Sequence, residues 1–149
     1  MLVMPTPQEI AESFRQLDFH DDTLVDLRVM TAQHPEQASV VEIQLGHGPG
    51  DTRVITFSGC ANLRVAMDFD VLAHNLPPNT SRVDAHANPD ALRNLMQSQQ
   101  KDWDVNYTGT ATSPLTKKLA ALQNLVFFRV QFFGGAVDII AREYNVIIR

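Results

Sequence analysis

The stretch VFFRVQFFGGAVDIIARE, residues 126–143, decides the fold. Val126, Phe128, Val130 and Phe132 alternate with Phe127, Arg129, Gln131 and Phe133. A period of two marks a strand whose successive side chains face opposite ways. Gly134-Gly135 follows, and glycine reaches the positive φ that tight hairpin turns need. Val137, Ile139 and Ala141 then alternate with Asp138, Ile140 and Arg142. An apolar antiparallel hairpin is predicted, and Val146–Ile148 extends its second strand after a break at Asn145.

The same period recurs upstream. Val25, Leu27 and Val29 alternate with Asp26 and Arg28, and Val41, Ile43 and Leu45 alternate with Glu42 and Gln44. A third strand is predicted over 52–58, where Arg53 shares the parity of Ile55 and Phe57 and leaves the inward face ambiguous. Leu63, Val65, Met67 and Phe69 give a fourth. His47-Gly48-Pro49-Gly50 reads as a turn, and 75–88, rich in Asn, Pro and Ser, as a loop. Short connections favour antiparallel neighbours.

Helices are signalled at their starts. Thr6-Pro7-Gln8-Glu9 is a capping box with Pro in the first turn, ahead of Ile10, Phe14 and Leu17, and predicts a helix over 7–17. Asn88-Pro89-Asp90 opens a second, with Leu92, Leu95 and Met96 as its stripe, and Ser113-Pro114 a third, with Leu115, Leu119 and Leu122. Residues 101–112 read as irregular. The sum is one α+β domain over residues 1–149: an antiparallel sheet of about six strands with two or three short helices, mostly on one face.

Composition excludes several functions. The net charge is −5, and the longest basic run is Lys117-Lys118, so no patch exists to neutralise nucleic-acid phosphates. A single cysteine, Cys60, rules out an internal disulfide and a cysteine zinc cage. No stretch approaches the roughly 20 apolar residues of a membrane span, and MLVMPTPQE lacks a signal peptide's basic start. A soluble protein of the reducing cytoplasm is expected, and the N-x-S/T triplets at Asn79 and Asn106 are read as chance.

The chemistry-bearing residues cluster in two places. Asp18-Phe19-His20-Asp21-Asp22 sits between the first helix and the first strand. Asp and His bond nearby backbone groups, so His20, Asp21 and Asp22 read first as a structural joint. In an extended chain His20 and Asp22 would face one side and Asp21 the other, which cannot converge on one ion. Asp68, Asp70 and His74 form the second cluster, with donor types suited to a divalent ion but equally to a solvated strand end. Neither is taken as a metal site, and no cofactor is implied. His47 lies in no phosphate-loop pattern, and His34 and His86 lie in polar loops. Cys60 reads as a buried thiol, with no neighbouring base to activate it. G-x-S-x-G, H-E-x-x-H and the P-loop are all missing, so the balance leans against an enzyme.

The polar side of the strands is a further candidate. Arg28, Arg64, Arg129, Gln131, Asp138 and Arg142 would pave one surface if the strands share a sheet. A solvated face is the simpler reading, since antiparallel sheets often have one. Phe127, Phe133 and Ile140 share its parity, and aromatics beside arginine suit a protein interface unless a helix covers them.

The order FHDDTLVDLRV (19–29), VVEIQL (40–45), VITFSGCANLRVAMDFD (54–70) and FRVQFFGGAVDIIARE (128–143) resembles a group of small bacterial proteins with a Phe-His-Asp start before the first strand. Some members are predicted immunity proteins, which bind and silence a toxin. The resemblance implies a partner-binding role and carries over no catalytic residue. The expectation is a non-catalytic soluble binding protein whose partner is a toxin or a second copy. The alternatives are a metal- or His-dependent enzyme built on His20, Asp22, Asp68, Asp70 and His74, and a homo-oligomeric structural protein joined through the C-terminal hairpin.

Overall fold

The computed structural model describes residues 3–34, 37–68, 77–103 and 122–149, with side chains of the second helix described through Met96. Helix α1 spans Pro7–Arg15, and the Thr6 hydroxyl accepts from the Glu9 N–H at 3.2 Å, as the capping residues predict. Eight strands follow: β1 (Thr23–Met30), β2 (Val40–Gly46), β3 (Thr52–Ser58), β4 (Asn62–Met67), β5 (Thr80–His86), β6 (Val126–Phe132), β7 (Gly135–Ala141) and β8 (Glu143–Ile148). Helix α2 (Pro89–Trp103) lies between β5 and β6, and a short 3₁₀ turn, Leu122–Asn124, precedes β6. The predicted helix at Ser113-Pro114 lies outside the described residues, apart from Leu122.

The strands form two four-stranded antiparallel sheets, ordered β1-β2-β3-β8 and β4-β7-β6-β5, rather than one sheet of about six. Both sheets share one bent ribbon. Ser58 pairs with Glu143 in the first sheet, and Asn62 pairs with Ile140 in the second. Between these pairs only Gly59-Cys60-Ala61 and Ala141-Arg142 intervene. Gly59 has φ +66°, and a Cβ there would lie 2.9 Å from the Arg142 side chain. Strands that change sheets at a bend are how orthogonal sandwiches turn their corners. The chain thus breaks at Arg142, ahead of the predicted break at Asn145.

Strand β5 occupies part of the predicted loop. Its sequence, TSRVDAH, carries little apolar alternation, because it is an edge strand that pairs only with β6. The hairpin turn also sits one residue early, since Phe132 pairs with Gly135 and Gly134 takes φ +90°. Gly135 is needed for another reason: any Cβ would run into the Ala66 carbonyl of β4.

The inner faces meet in one core that includes Ile43, Leu45, Ile55 and Phe57 from the first sheet and Phe128, Val130, Val137 and Ile139 from the second. Helix α1 packs on β5, β6 and β8, with Phe14 fully buried. The Phe14 ring meets Phe128 edge-on at 4.9 Å and Tyr144 at 5.0 Å. Burying one such side chain contributes about 2–3 kcal/mol. Helix α2 lies on the opposite, outer face of the second sheet, where Leu92 and Met96 cover Phe127 and Ile140. The Asn88 side chain caps it, accepting from the N–H groups of Asp90 and Ala91 at 3.1 and 3.3 Å. The helices therefore do not share one face. One fills the core and the other screens outward apolar groups.

Candidate functional site at the Phe-His-Asp junction

Residues 16–22 make the turn from α1 into β1. The Asp18 carboxylate accepts from the His20 N–H at 3.0 Å, and the Asp22 N–H bonds the Phe19 carbonyl at 2.9 Å. Closing that turn puts Asp21 at φ +67°, the one non-glycine residue with positive φ among those described. Aspartate tolerates this region better than most residues, but the conformation is strained. The segment is therefore not extended, and the expected alternation of sides does not hold. His20 and Asp21 stay outside, 3.1 Å apart, while Asp22 turns inward. There it is 2 % exposed.

Backbone bonds stitch this turn to the start of β5. The Asp21 N–H donates to the Thr80 carbonyl at 2.9 Å. The Thr80 N–H and hydroxyl both donate to the Asp22 carbonyl, at 2.7 and 2.9 Å. The Thr23 hydroxyl donates to the Asn79 side chain at 2.8 Å. These bonds satisfy the polar backbone where the first sheet meets the second.

The inward Asp22 carboxylate meets two residues from the β2–β3 hairpin. His47 Nδ1 lies 2.5 Å from one oxygen, and Arg53 lies 3.6 Å from the other, which has no hydrogen bond. Arg53 also donates to the Asp18 carbonyl at 2.7 Å, stands over the Phe19 ring at 5.6 Å, and reaches His47 Nε2 at 3.1 Å. A carboxylate only accepts and a guanidinium only donates, so the partners place the His47 hydrogen on Nδ1 and the lone pair on Nε2. A carboxylate on Nδ1 is the orienting half of many catalytic dyads, which leave Nε2 free as a base. Here Arg53 occupies Nε2. The arrangement pins the end of the first sheet; it holds no free base.

His47 and Arg53 were not among the site residues read from the sequence. The signal was the parity of Arg53 with Ile55 and Phe57. That parity is real: Arg53 points inward, but at the strand's first turn, where the core ends and its head can reach the Asp22 carboxylate.

On the outside of the junction, His20, Asp21, Pro77, Asn79, Thr80, Ser81 and Phe133 line an open cleft of about 310 Å³. The Phe133 N–H donates to the Asn79 carbonyl at 2.8 Å, which holds the hairpin turn against this rim. Phe133 is 52 % exposed, whereas Phe127 and Ile140, expected on the same face, are covered by α2.

The six residues expected to form a binding face fall in three places. Arg64, Arg129, Gln131 and Asp138 share the outer face of the second sheet. Across its strands Arg64, Asp138, Arg129 and Asp84 stand in register with alternating charge. Arg129 grips Asp138 at two points, 2.7 and 2.9 Å, and the Asp138 carboxylate holds the guanidinium pKa above its ordinary value. Arg82 bonds Gln131 at 3.1 Å. Arg28 lies on the other sheet, paired with Asp26 at 2.9 Å, and Arg142 stands at the bend against Gly59.

Burial pushes the Cys60 thiol up to about 11, and its Sγ donates to the Phe57 carbonyl at 3.2 Å, so its surroundings do not activate it. His86 is held below its ordinary pKa by burial, against the opposing pull of Asp84, and stacks on Phe127 at 4.9 Å. Asp68 bonds through its N–H to the Gly134 carbonyl, at the same turn that carries Phe133. Asp70 and His74 lie outside the described residues, as does Asn106. Among the described residues no three His, Cys, Asp or Glu side chains are grouped to hold a metal ion, and no helix is long and apolar enough to cross a membrane. No family model matches the chain, and neither a curated protein nor a solved structure is significantly similar to it.

Proposed function

We propose that this chain is a non-catalytic binding protein that takes a protein partner on the rim formed by the Phe-His-Asp junction, residues 77–81 and Phe133. The observation that carries the reading is the half-exposed Phe133, presented over a cleft whose floor is already hydrogen-bonded. A rigidly held aromatic with polar neighbours is the usual form of an interface anchor. The polar groups behind it, Asp22, His47 and Arg53, bond one another and act as support.

The exposed Asp18 and Asp21 and the net charge of −5 suit a partner with a basic surface. An immunity protein that silences a basic toxin is the most concrete form of this reading, in keeping with the Phe-His-Asp resemblance. Native mass spectrometry of the gently purified chain tests it. A co-purifying protein is expected, and Phe133→Asp should weaken its capture at least about tenfold with unchanged circular dichroism, as for a central anchor. A lone chain carrying a metal or small molecule would overturn the reading in favour of the enzyme alternative. So would a complex indifferent to Phe133→Asp.

A further inference from the structure

Strand β1 is an edge of the first sheet, with β2 on one side only. Segment 77–80 covers the start of its free edge: Thr23 bridges Asn79, and the Leu24 N–H donates to the Pro78 carbonyl at 3.1 Å. From Val25 to Met30 the free edge pairs with no other strand among the described residues. Val25, Val29 and Met30 are 61, 50 and 45 % exposed there. Proteins usually blunt such an edge with proline, lysine or an inward charge. This stretch carries one blunting device, a bulge at Val25 between Leu24 and Asp26, and the regularly paired run beyond it opens Asp-Leu-Arg.

That sequence is complementary to itself when reversed. We propose that β1 pairs antiparallel with β1 of a second copy of this chain, about a two-fold axis through Leu27, and joins two four-stranded sheets into one. In this register Asp26 faces Arg28 of the second copy and Arg28 faces its Asp26, while the bulge at Val25 ends the regular pairing on that side. Moving the axis to Arg28 sets arginine against arginine, and moving it to Asp26 sets aspartate against aspartate. Like charges directly opposite are destabilising in a sheet. A slip by a single residue would place inward side chains beside outward ones. The Leu27 axis is thus the register that charge and pleat both favour, and it fits the stretch that segment 77–80 leaves open. Asp26 and Arg28 already bond each other at 2.9 Å within one chain. The second copy adds one opposite-charge neighbour to each, beside the Glu42 of β2 that Arg28 already faces, and shields Val29. The interface is isologous, so it closes at a dimer and does not propagate. It adjoins the Phe133 rim through segment 77–80 but does not depend on that assignment.

Sedimentation velocity of the full chain across a range of micromolar concentrations tests the proposal. A concentration-dependent dimer is expected. Arg28→Asp should abolish it, because Asp26 then faces an acid in the second copy. The exchange Asp26→Arg with Arg28→Asp should restore it, since opposite charges face each other again. If Arg28→Asp fails to fold by circular dichroism, Asp26→Arg sets arginine against Arg28 of the second copy and should abolish the dimer in its place. A wild-type chain that stays monomeric throughout would overturn the proposal. So would a dimer that survives the single charge reversal, or one that the charge exchange fails to restore.

Discussion

Asp22 and Asp138 both face an arginine, and the two pairs differ in exposure and in geometry. The Asp22 side chain is 2 % exposed, and the oxygen nearest Arg53 has no hydrogen bond. Asp138, 14 % exposed, stands on an outer sheet face, gripped at two points by an Arg129 that is 42 % exposed. The better geometry belongs to the more solvated pair. Water competes for the Arg129–Asp138 fork and screens it, so its contribution is small. At Asp22 water is excluded, and the loss of either neighbour leaves a charge with nowhere to go. Worse geometry in a dry place holds the fold more firmly than ideal geometry in a wet one.

The largest expected effect breaks the buried side. Arg53→Ala removes the guanidinium beside Asp22, its bond to the Asp18 carbonyl and its contact with Phe19. A loss of about 2–4 kcal/mol is expected in urea denaturation. A loss no larger than that of Asp138→Ala would end the comparison.

The second effect sharpens it with pH. His86 has its folded pKa below the ordinary 6.5, because burial disfavours the imidazolium. The unfolded state then binds more protons than the native state. The His86 contribution to stability is therefore present above about pH 6.5 and is lost as pH falls through the folded value. His86→Phe should keep the stacking on Phe127 and flatten this part of the stability profile. An unchanged profile would show that the buried ring is not what the chain loses in mild acid.

The smallest effect lies on the exposed side. Asp138→Ala should lower stability by about 0–1 kcal/mol, and moderate salt should remove most of the difference. A larger, salt-insensitive loss would mean that the outer face of the second sheet is drier than the exposure of Arg129 indicates.

Much of this was legible in the chain itself. The C-terminal hairpin, the first four strands and the Thr6 cap follow from period and local chemistry, and all are present with small shifts at their ends. Strand β5 was not legible. An edge strand that pairs on one side needs few apolar residues, and Val83 and Ala85 are all it contributes to the core beside Thr80 at its start. The split into two sheets was equally hidden, because a bend at Gly59 and Arg142 interrupts the alternation by only a few residues. The C-terminal hairpin, expected as an edge or face for self-association, lies in the middle of its sheet, and its outward Phe127 and Ile140 meet α2. The self-association proposed above uses β1 instead, whose charge order the sequence displays but whose edge position it does not.

At the site the division is sharper. The sequence determined that Asp18–Asp22 would be a joint, because a helix period ends and a strand period begins around it. It also showed that Arg53 shares the parity of Ile55 and Phe57, but left open which face of that strand is inward. Only the tertiary structure decided that the β2–β3 hairpin brings His47 and Arg53 to that joint, that Asp22 turns in while His20 and Asp21 turn out, and that Phe133 arrives on the rim from the far end of the chain. Period and capping are local properties that a few neighbouring residues fix. The meeting of residues 22, 47, 53, 79 and 133 depends on how two sheets share one bent ribbon, and no local stretch carries that information.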